Sequence, residues 1–183
     1  MKSSATHYTH KQIWLIAYPI LISLLMEQMI GITDTAFLGR VGEVELGASA
    51  IAGVYYLAIF MIGFGFTIGS QILIARRNGE EQYQAIGNIF YQGIYFLMTM
   101  SAVAFTLSQI FSDEILGFLI SSPHVRDAAA DYIHWRVFGF FFSFIGAMFR
   151  AFFVGTTQTK TLTLNSIAVS YTHLRAHETL SDL

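Results

Sequence analysis

The sequence contains no cysteine, only two prolines and few charged residues, and each scarcity excludes something. Without cysteine, the protein forms no disulfide, no thiolate metal site and no cysteine nucleophile. Charged side chains make up 12% of its 183 residues, whereas a typical soluble domain carries about 25%. So little charge leaves too little polar surface to cover a globule in water. The formal net charge of −2 gives no reason to expect nucleic acid or an acidic partner.

The sequence does contain long apolar runs. Residues 46–75 and 82–112 contain no Asp, Glu, Lys or Arg, and each run exceeds the roughly 20 helical residues that cross a hydrocarbon core. Another run is interrupted only by Glu27, and a shorter one lies between Arg136 and Arg150. We therefore predict an all-α integral membrane protein with four transmembrane helices and the start of a fifth. The predicted bounds are about 13–37, 46–75, 82–112, 127–154 and 161–168.

The connections are predicted from caps and breakers. Asn78 and Gly79 are expected to turn the chain after the second helix, where Arg76 and Arg77 complement the helix dipole. After the third helix, Ser112 is expected to cap a separate short helix that ends near residue 120.

Basic residues predict the orientation, because cytoplasmic loops of membrane proteins are enriched in Lys and Arg. With a cytoplasmic N-terminus, six basic residues lie inside and three outside. The inner set is Lys2, Lys11, Arg76, Arg77, Arg150 and Lys160, and the outer set is Arg40, Arg126 and Arg136. We therefore predict a multi-pass protein of the inner (plasma) membrane with a cytoplasmic N-terminus. The first apolar run lacks a small-residue cleavage site and is expected to be a retained helix rather than a leader.

Two carboxylates stand out inside the first predicted helix. Glu27 and Asp34 are seven residues apart, close to two helical turns, so they project from nearly the same face. An ionised Asp at mid-bilayer costs about 2.5–3.5 kcal/mol on insertion scales, so such a stripe should line a bundle interior or a water-filled cavity. Gln28 and Thr33 are polar neighbours of this stripe. The functional interpretation is a carboxylate that binds a proton or holds a cation.

Structural alternatives exist for each of these residues. Asp34 would simply cap the outer end of its helix, and Glu27 would hydrogen-bond a neighbouring helix. Tyr55 and Gln71, like Tyr56 and Tyr91, are cavity-lining candidates, but residues of these types are more often interface anchors or satisfied buried polar groups. In the second helix Gly65 and Gly69 form a GxxxG pattern, which indicates close helix packing rather than a binding role.

Three stretches together resemble the multidrug and toxic compound extrusion (MATE) family of transporters. They are residues 30–39 (IGITDTAFLG), residues 75–79 (ARRNG) and residues 149–160 (FRAFFVGTTQTK). The resemblance covers roughly residues 13–167. Two departures are visible: a carboxylate at Glu27, where the family often has Gln, and the absence of the Asp and Pro that often follow the fourth helix.

The resemblance implies a twelve-helix fold made of two six-helix lobes, of which this chain would supply part of the N-terminal lobe. It implies a secondary antiporter that exports drugs or other organic cations in exchange for protons or sodium ions, with no cofactor beyond that coupling ion. The cation-coupling aspartate of the family falls on Asp34. The expected partners are the lipid bilayer, small organic and mainly cationic substrates, and the missing helices of the same parent chain.

The end of the chain differs from this pattern. Residues 169–179 (VSYTHLRAHET) resemble a translated sequencing adapter, so we predict that residues 1–168 are the partial N-lobe and residues 169–183 a non-native tail. A genuine cytoplasmic tail is the alternative. On this interpretation transport belongs to the full-length parent, and the chain alone is inactive.

Other function classes are less well supported. A membrane-embedded enzyme would need convergent nucleophile, acid–base or metal residues at membrane depth. Cysteine is absent, and of the histidines before the predicted tail only His134 approaches a predicted span, so we predict that the protein is not an enzyme. A lipid or polysaccharide flippase of related two-lobed architecture is the nearest alternative. A non-transporting scaffold subunit is the other, although it has no need for two carboxylates on one helix face.

Overall fold

The computed structural model describes residues 9–181, and within that range every regular element is an α-helix. The predicted all-α class is thereby confirmed. The number of helices differs from the prediction, because there are six in this range instead of four and the start of a fifth. They are α1 (His10–Val41), α2 (Glu43–Gly79), α3 (Tyr83–Leu119), α4 (Pro123–Arg136), α5 (Gly139–Gly155) and α6 (Thr159–Ser181).

Three of the described helices, α1, α2 and α3, are long and apolar enough to cross a membrane. Their lengths of 32, 37 and 37 residues exceed the roughly 20 residues that a hydrocarbon core requires. Helices α4 and α5 pass the same test only as a pair, which is bent by 54° at its break. The described chain therefore contains three helices that could cross a membrane by length and composition, or up to four if the bent pair counts as one span.

The single helix predicted for residues 127–154 is wrong, because the chain breaks between Arg136 and Gly139. The local signals are modest: Val137 is β-branched and Gly139 has low helix propensity. Packing decides the matter. Val137 is 1% exposed and Phe140 fully buried, so the break turns both residues into the core.

The separate short helix predicted after Ser112 is also wrong, since α3 continues unbroken to Leu119. Ser108, Ser112 and Leu116 follow one another at four-residue spacing, and all three are buried. Continuing the helix keeps this stripe on one face. Neither proline nor glycine interrupts the segment before residue 117, so the capping preference of Ser112 does not end the helix.

The turn between α2 and α3 lies later than predicted. Helix α2 includes Asn78 and Gly79, and the reversal is made by Glu80 and Glu81, the latter in the left-handed region with φ 57°. Arg76 and Arg77 both bind Glu80, at 3.0 and 2.7 Å. These ion pairs cross the last turn of the helix, which ends at Gly79 instead of near residue 75.

The chain divides into two compact units, and the boundary falls inside α1. The larger unit, Asp34–Thr156, contains the end of α1 together with α2, α3, α4 and α5. Its core includes a stack of aromatic rings between α2 and α5. Tyr56 stacks on Phe140 with 4.4 Å between ring centroids, and Phe60 stacks on Phe144 at 5.7 Å. The four-residue spacing on both helices brings successive rings onto the shared face.

The other unit comprises residues 1–33 and 157–183, of which the described parts are most of α1 and α6. The Thr163 hydroxyl of α6 donates a 2.9 Å hydrogen bond to the Pro19 carbonyl of α1. Ser23 and Ser166 are buried in this unit. Residues 182–183 of the predicted tail lie outside the described residues, and the helical form of α6 does not decide whether residues 169–183 are native. That origin stays a prediction.

Candidate functional site

Both carboxylates of the predicted stripe lie on α1. Because α1 runs from His10 to Val41 without interruption, Glu27 and Asp34 keep the seven-residue helical spacing that the prediction requires. Glu27 is exposed and belongs to the smaller unit, whereas Asp34 is half-buried and belongs to the larger one. Asp34 lies about two turns before the end of the helix, which argues against a role as its terminal cap. Its coupling role stays a prediction.

The polar neighbours of the stripe behave differently from each other. Gln28 is exposed on α1. Thr33 is half-buried, and its hydroxyl donates a 2.9 Å hydrogen bond to the Met29 carbonyl one turn earlier. This local bond satisfies the Thr33 hydroxyl within its own helix, as is common for threonine in membrane helices.

Tyr55 and Gln71, the cavity-lining candidates of α2, both lie at helix contacts of the larger unit. The Tyr55 hydroxyl donates a 2.9 Å hydrogen bond to the hydroxyl of Ser108 on α3, and Ser108 is fully buried. For Tyr55 this supports the alternative of a satisfied buried polar group. Gln71 is half-buried, and its backbone carbonyl oxygen would lie 3.0 Å from a Cβ added at Gly155 on α5. The backbones of α2 and α5 therefore approach closely at this point.

Tyr56 anchors the α4–α5 break. Its hydroxyl shares a 2.7 Å hydrogen bond with that of Ser143, and its ring lies under the Arg136 guanidinium at 4.8 Å. Arg136 also donates a 2.8 Å hydrogen bond to the Tyr132 hydroxyl. The last charged residue before the break is thus held over an aromatic face, an arrangement that lowers the cost of placing a cation beside an apolar core.

The glycines of α2 pack differently from the prediction. Gly65 and Gly69 are exposed, and a Cβ added at either would meet nothing within 4 Å. The close approach occurs at Gly63, which is buried. A Cβ there would collide with Met100 and lie 2.5 Å from a ring carbon of Phe144. Within the described residues, the predicted role of the GxxxG pair in helix packing is therefore wrong.

The turn between α2 and α3 is the clearest electrostatic feature outside the spans. The Arg76 and Arg77 guanidinium groups, in that order of effect, hold the pKa of the Glu80 carboxyl below its ordinary value of 4.5. Both pairs are solvent-exposed, so their contribution to stability is screened.

A polar groove between α3 and α4 was not predicted from the sequence. Its volume is about 480 Å³, and it is lined by Gln109, Ser112, Asp113, Arg126, Asp127, Ala130, Asp131 and His134. A signal for it was present. Asp127, Asp131 and His134 recur at helical spacing on α4, and Gln109, Ser112 and Asp113 do so on α3. That signal was missed because the predicted third helix ended at residue 112.

Comparison with known proteins identifies a family for most of the chain. The MatE family model matches residues 19–175. The protein named "Probable multidrug resistance protein NorM" of Mannheimia succiniciproducens is 25% identical over 150 residues, which cover 82% of this chain and 32% of that protein. The protein of the same name from Bacillus subtilis is 26% identical over 164 residues, covering 88% and 36%.

A plant relative is similar to the same region. "Protein DETOXIFICATION 33" of Arabidopsis thaliana is 26% identical over 132 residues, covering 69% of this chain and 26% of that protein. No solved structure matches the chain significantly. The chain spans about a third of the length of the curated relatives that it matches.

Proposed function

The chain belongs to the MatE family, and we propose on that basis that it forms part of a secondary active antiporter. The full-length protein would export drugs or other organic cations in exchange for protons or sodium ions. The observation that carries the proposal is the family match across most of the chain, together with carboxylates placed on an apolar helix. Two of the relatives are named for multidrug resistance, which supports this class of substrate.

In the proposed mechanism Asp34 is the cation-coupling residue. Its carboxylate is half-buried on α1, and in this proposal it binds the coupling proton or sodium ion. Neutralising it would change how α1 packs and release bound substrate. The membrane potential adds about 2.3 kcal/mol per charge per 100 mV to such a cycle.

The remaining candidates take supporting roles in this proposal. Glu27 and Gln28 would present polar groups to a cationic substrate from the same helix. Thr33 and Gln71 would line the cavity, and Tyr55 would hold its α2 wall against α3 through Ser108. The protein would lie in the inner (plasma) membrane with its N-terminus in the cytoplasm, and alternating access would require a second lobe moving about the shared site.

The decisive test is Asp34→Asn in a full-length protein that contains this chain. In a drug-hypersensitive host we expect ethidium efflux to fall to background, because Asn cannot bind and release a proton. The amount of protein in the membrane should not change. Glu114→Gln is the matched control, since it removes an exposed carboxylate of α3 and should leave efflux intact.

Unchanged efflux by the Asp34→Asn variant would remove Asp34 from the mechanism. Substrate-induced proton release from the purified full-length protein would separate an antiporter from a scaffold subunit. A lipid or polysaccharide flippase would instead move a labelled lipid without releasing protons.

A further inference from the structure

The polar groove between α3 and α4 lies in the larger unit, on helices that carry none of the residues proposed above for ion coupling. Its volume of about 480 Å³ falls within the range of about 300–1,000 Å³ that is usual for small-molecule sites. The Gln109 side chain bridges its two walls by donating a 3.1 Å hydrogen bond to the His134 carbonyl. This bond fixes the spacing of α3 and α4 at the groove.

The groove carries an excess of negative charge. Three carboxylates line it, from Asp113, Asp127 and Asp131, against a single guanidinium from Arg126. Arg126 pairs with Asp127 at 3.5 Å. Asp113 and Asp131 form no ion pair with any residue in the described range. Two carboxylates on facing helices therefore remain available to a positively charged ligand.

Ser112 provides an independent sign of a ligand site. Its side chain is buried, with 7% of the residue exposed, yet it lines the groove. Within residues 9–181 its hydroxyl has no hydrogen-bond partner. It also differs from Ser101, whose hydroxyl is sealed from solvent. Because buried polar groups are normally satisfied, an open and unpaired hydroxyl here indicates a position that a ligand donor or water occupies.

We propose that this groove binds a small, polar organic cation through Asp113 and Asp131, with the Ser112 hydroxyl accepting a hydrogen bond from the ligand. The ligand would be an alkylguanidinium or alkylammonium ion. A bare metal ion is disfavoured, because no three His, Asp or Glu side chains of the described residues converge as a metal site. The proposal rests on the proposed function for its ligand class, but it names a second site away from α1.

The test uses the 183-residue chain in lipid nanodiscs and agmatine, which carries a guanidinium and an ammonium group, measured by isothermal titration calorimetry. We expect saturable binding that Asp131→Asn and Asp113→Asn each weaken about three- to tenfold, the range for a charge-assisted contact in a partly solvated groove. Glu114→Gln is the matched control. It neutralises a carboxylate next to Asp113 that does not line the groove, and it should change the affinity less than twofold.

The outcomes separate this site from the one on α1. Asp34→Asn should leave agmatine binding unchanged, and loss of efflux in that variant would not bear on the groove. The groove proposal is overturned if the unmodified chain does not bind agmatine, or if Glu114→Gln weakens binding as much as Asp131→Asn. It is also overturned if binding is lost in Asp34→Asn and retained in Asp131→Asn. Circular dichroism of each variant should match the unmodified chain, and an affinity loss that follows a loss of helicity counts against the proposal.

Discussion

Gly155→Ala should destabilise the larger unit even though it adds only one methyl group. Gly155 is the last residue of α5 and is buried. A Cβ at this position would lie 2.8 Å from the Ile74 Cγ2 atom and 3.0 Å from the Gln71 carbonyl oxygen. The side chain of Ile74 can shift slightly, but the Gln71 carbonyl belongs to the α2 backbone. Relief of the clash therefore requires α5 to move away from α2.

The expected magnitude follows from two opposing effects. Gly155 has no positive φ, so alanine fits its backbone, and the stiffer unfolded chain would by itself stabilise the protein by about 0.4–1 kcal/mol. Overpacking a well-packed contact costs about 1–3 kcal/mol. The clash with backbone should prevail, with a fall of about 1–2 kcal/mol in the free energy of unfolding, or roughly 5- to 30-fold in the folded-to-unfolded ratio.

The assay is SDS titration of the 183-residue chain in dodecyl maltoside micelles, followed by far-ultraviolet circular dichroism. Gly65→Ala is the matched control, since a Cβ at Gly65 meets nothing within 4 Å. This variant should be as stable as the unmodified chain or slightly more stable. The packing of α2 on α5 described above would be refuted if Gly65→Ala destabilised the chain and Gly155→Ala did not.

Two further predictions concern α2 and the turn that follows it. Tyr55→Phe removes the hydroxyl that donates to Ser108. It should lower the free energy of unfolding by about 1–3 kcal/mol in the same SDS titration, because the fully buried Ser108 hydroxyl is left unsatisfied. An unchanged midpoint of the SDS titration would contradict the hydrogen bond between α2 and α3. The pKa of the Glu80 carboxyl should lie below its ordinary value of 4.5, because Arg76 and Arg77 bind it. Its ion pairs should therefore stabilise the turn above pH 4.5 and be lost as the pH falls through the lowered pKa. Carboxyl-carbon NMR checks this, and substituting both arginines with glutamine should return the pKa to its ordinary value.

Charge patterning was sufficient to predict the long helices but not their ends. Runs without charged residues identified α2 and α3, because burying charge in a bilayer is costly for any fold. The bend after Arg136 depends on contacts with α2, which is distant in the sequence. Tyr56 on α2 holds the Arg136 guanidinium and stacks on Phe140. A contact between residues 80 positions apart has no local signature beyond Gly139.

The same limit applies to the candidate sites. Periodicity predicts Glu27 and Asp34 on one helix face, and the helix that this needs is unbroken between them, while their role stays a prediction. It failed for Gly65 and Gly69, because a small-residue pattern indicates that helices can approach closely without saying which face meets a partner. The groove was missed because the predicted third helix ended at residue 112. Its two walls also come from separate helices, so only the fold shows that Asp113 and Asp131 line the same space.

The packing of α5 on α2 also gives a physical meaning to two of the stretches by which the chain resembles transporters. Gly155 lies within residues 149–160, and Ile74, which it contacts, immediately precedes residues 75–79. Gly155 therefore packs against α2, the helix that ends within residues 75–79. Gly155 contributes to helix packing, whereas residues 30–39 carry the carboxylate that the proposed mechanism needs. Gly155→Ala should therefore change stability, whereas Asp34→Asn should abolish transport with the amount of protein in the membrane unchanged.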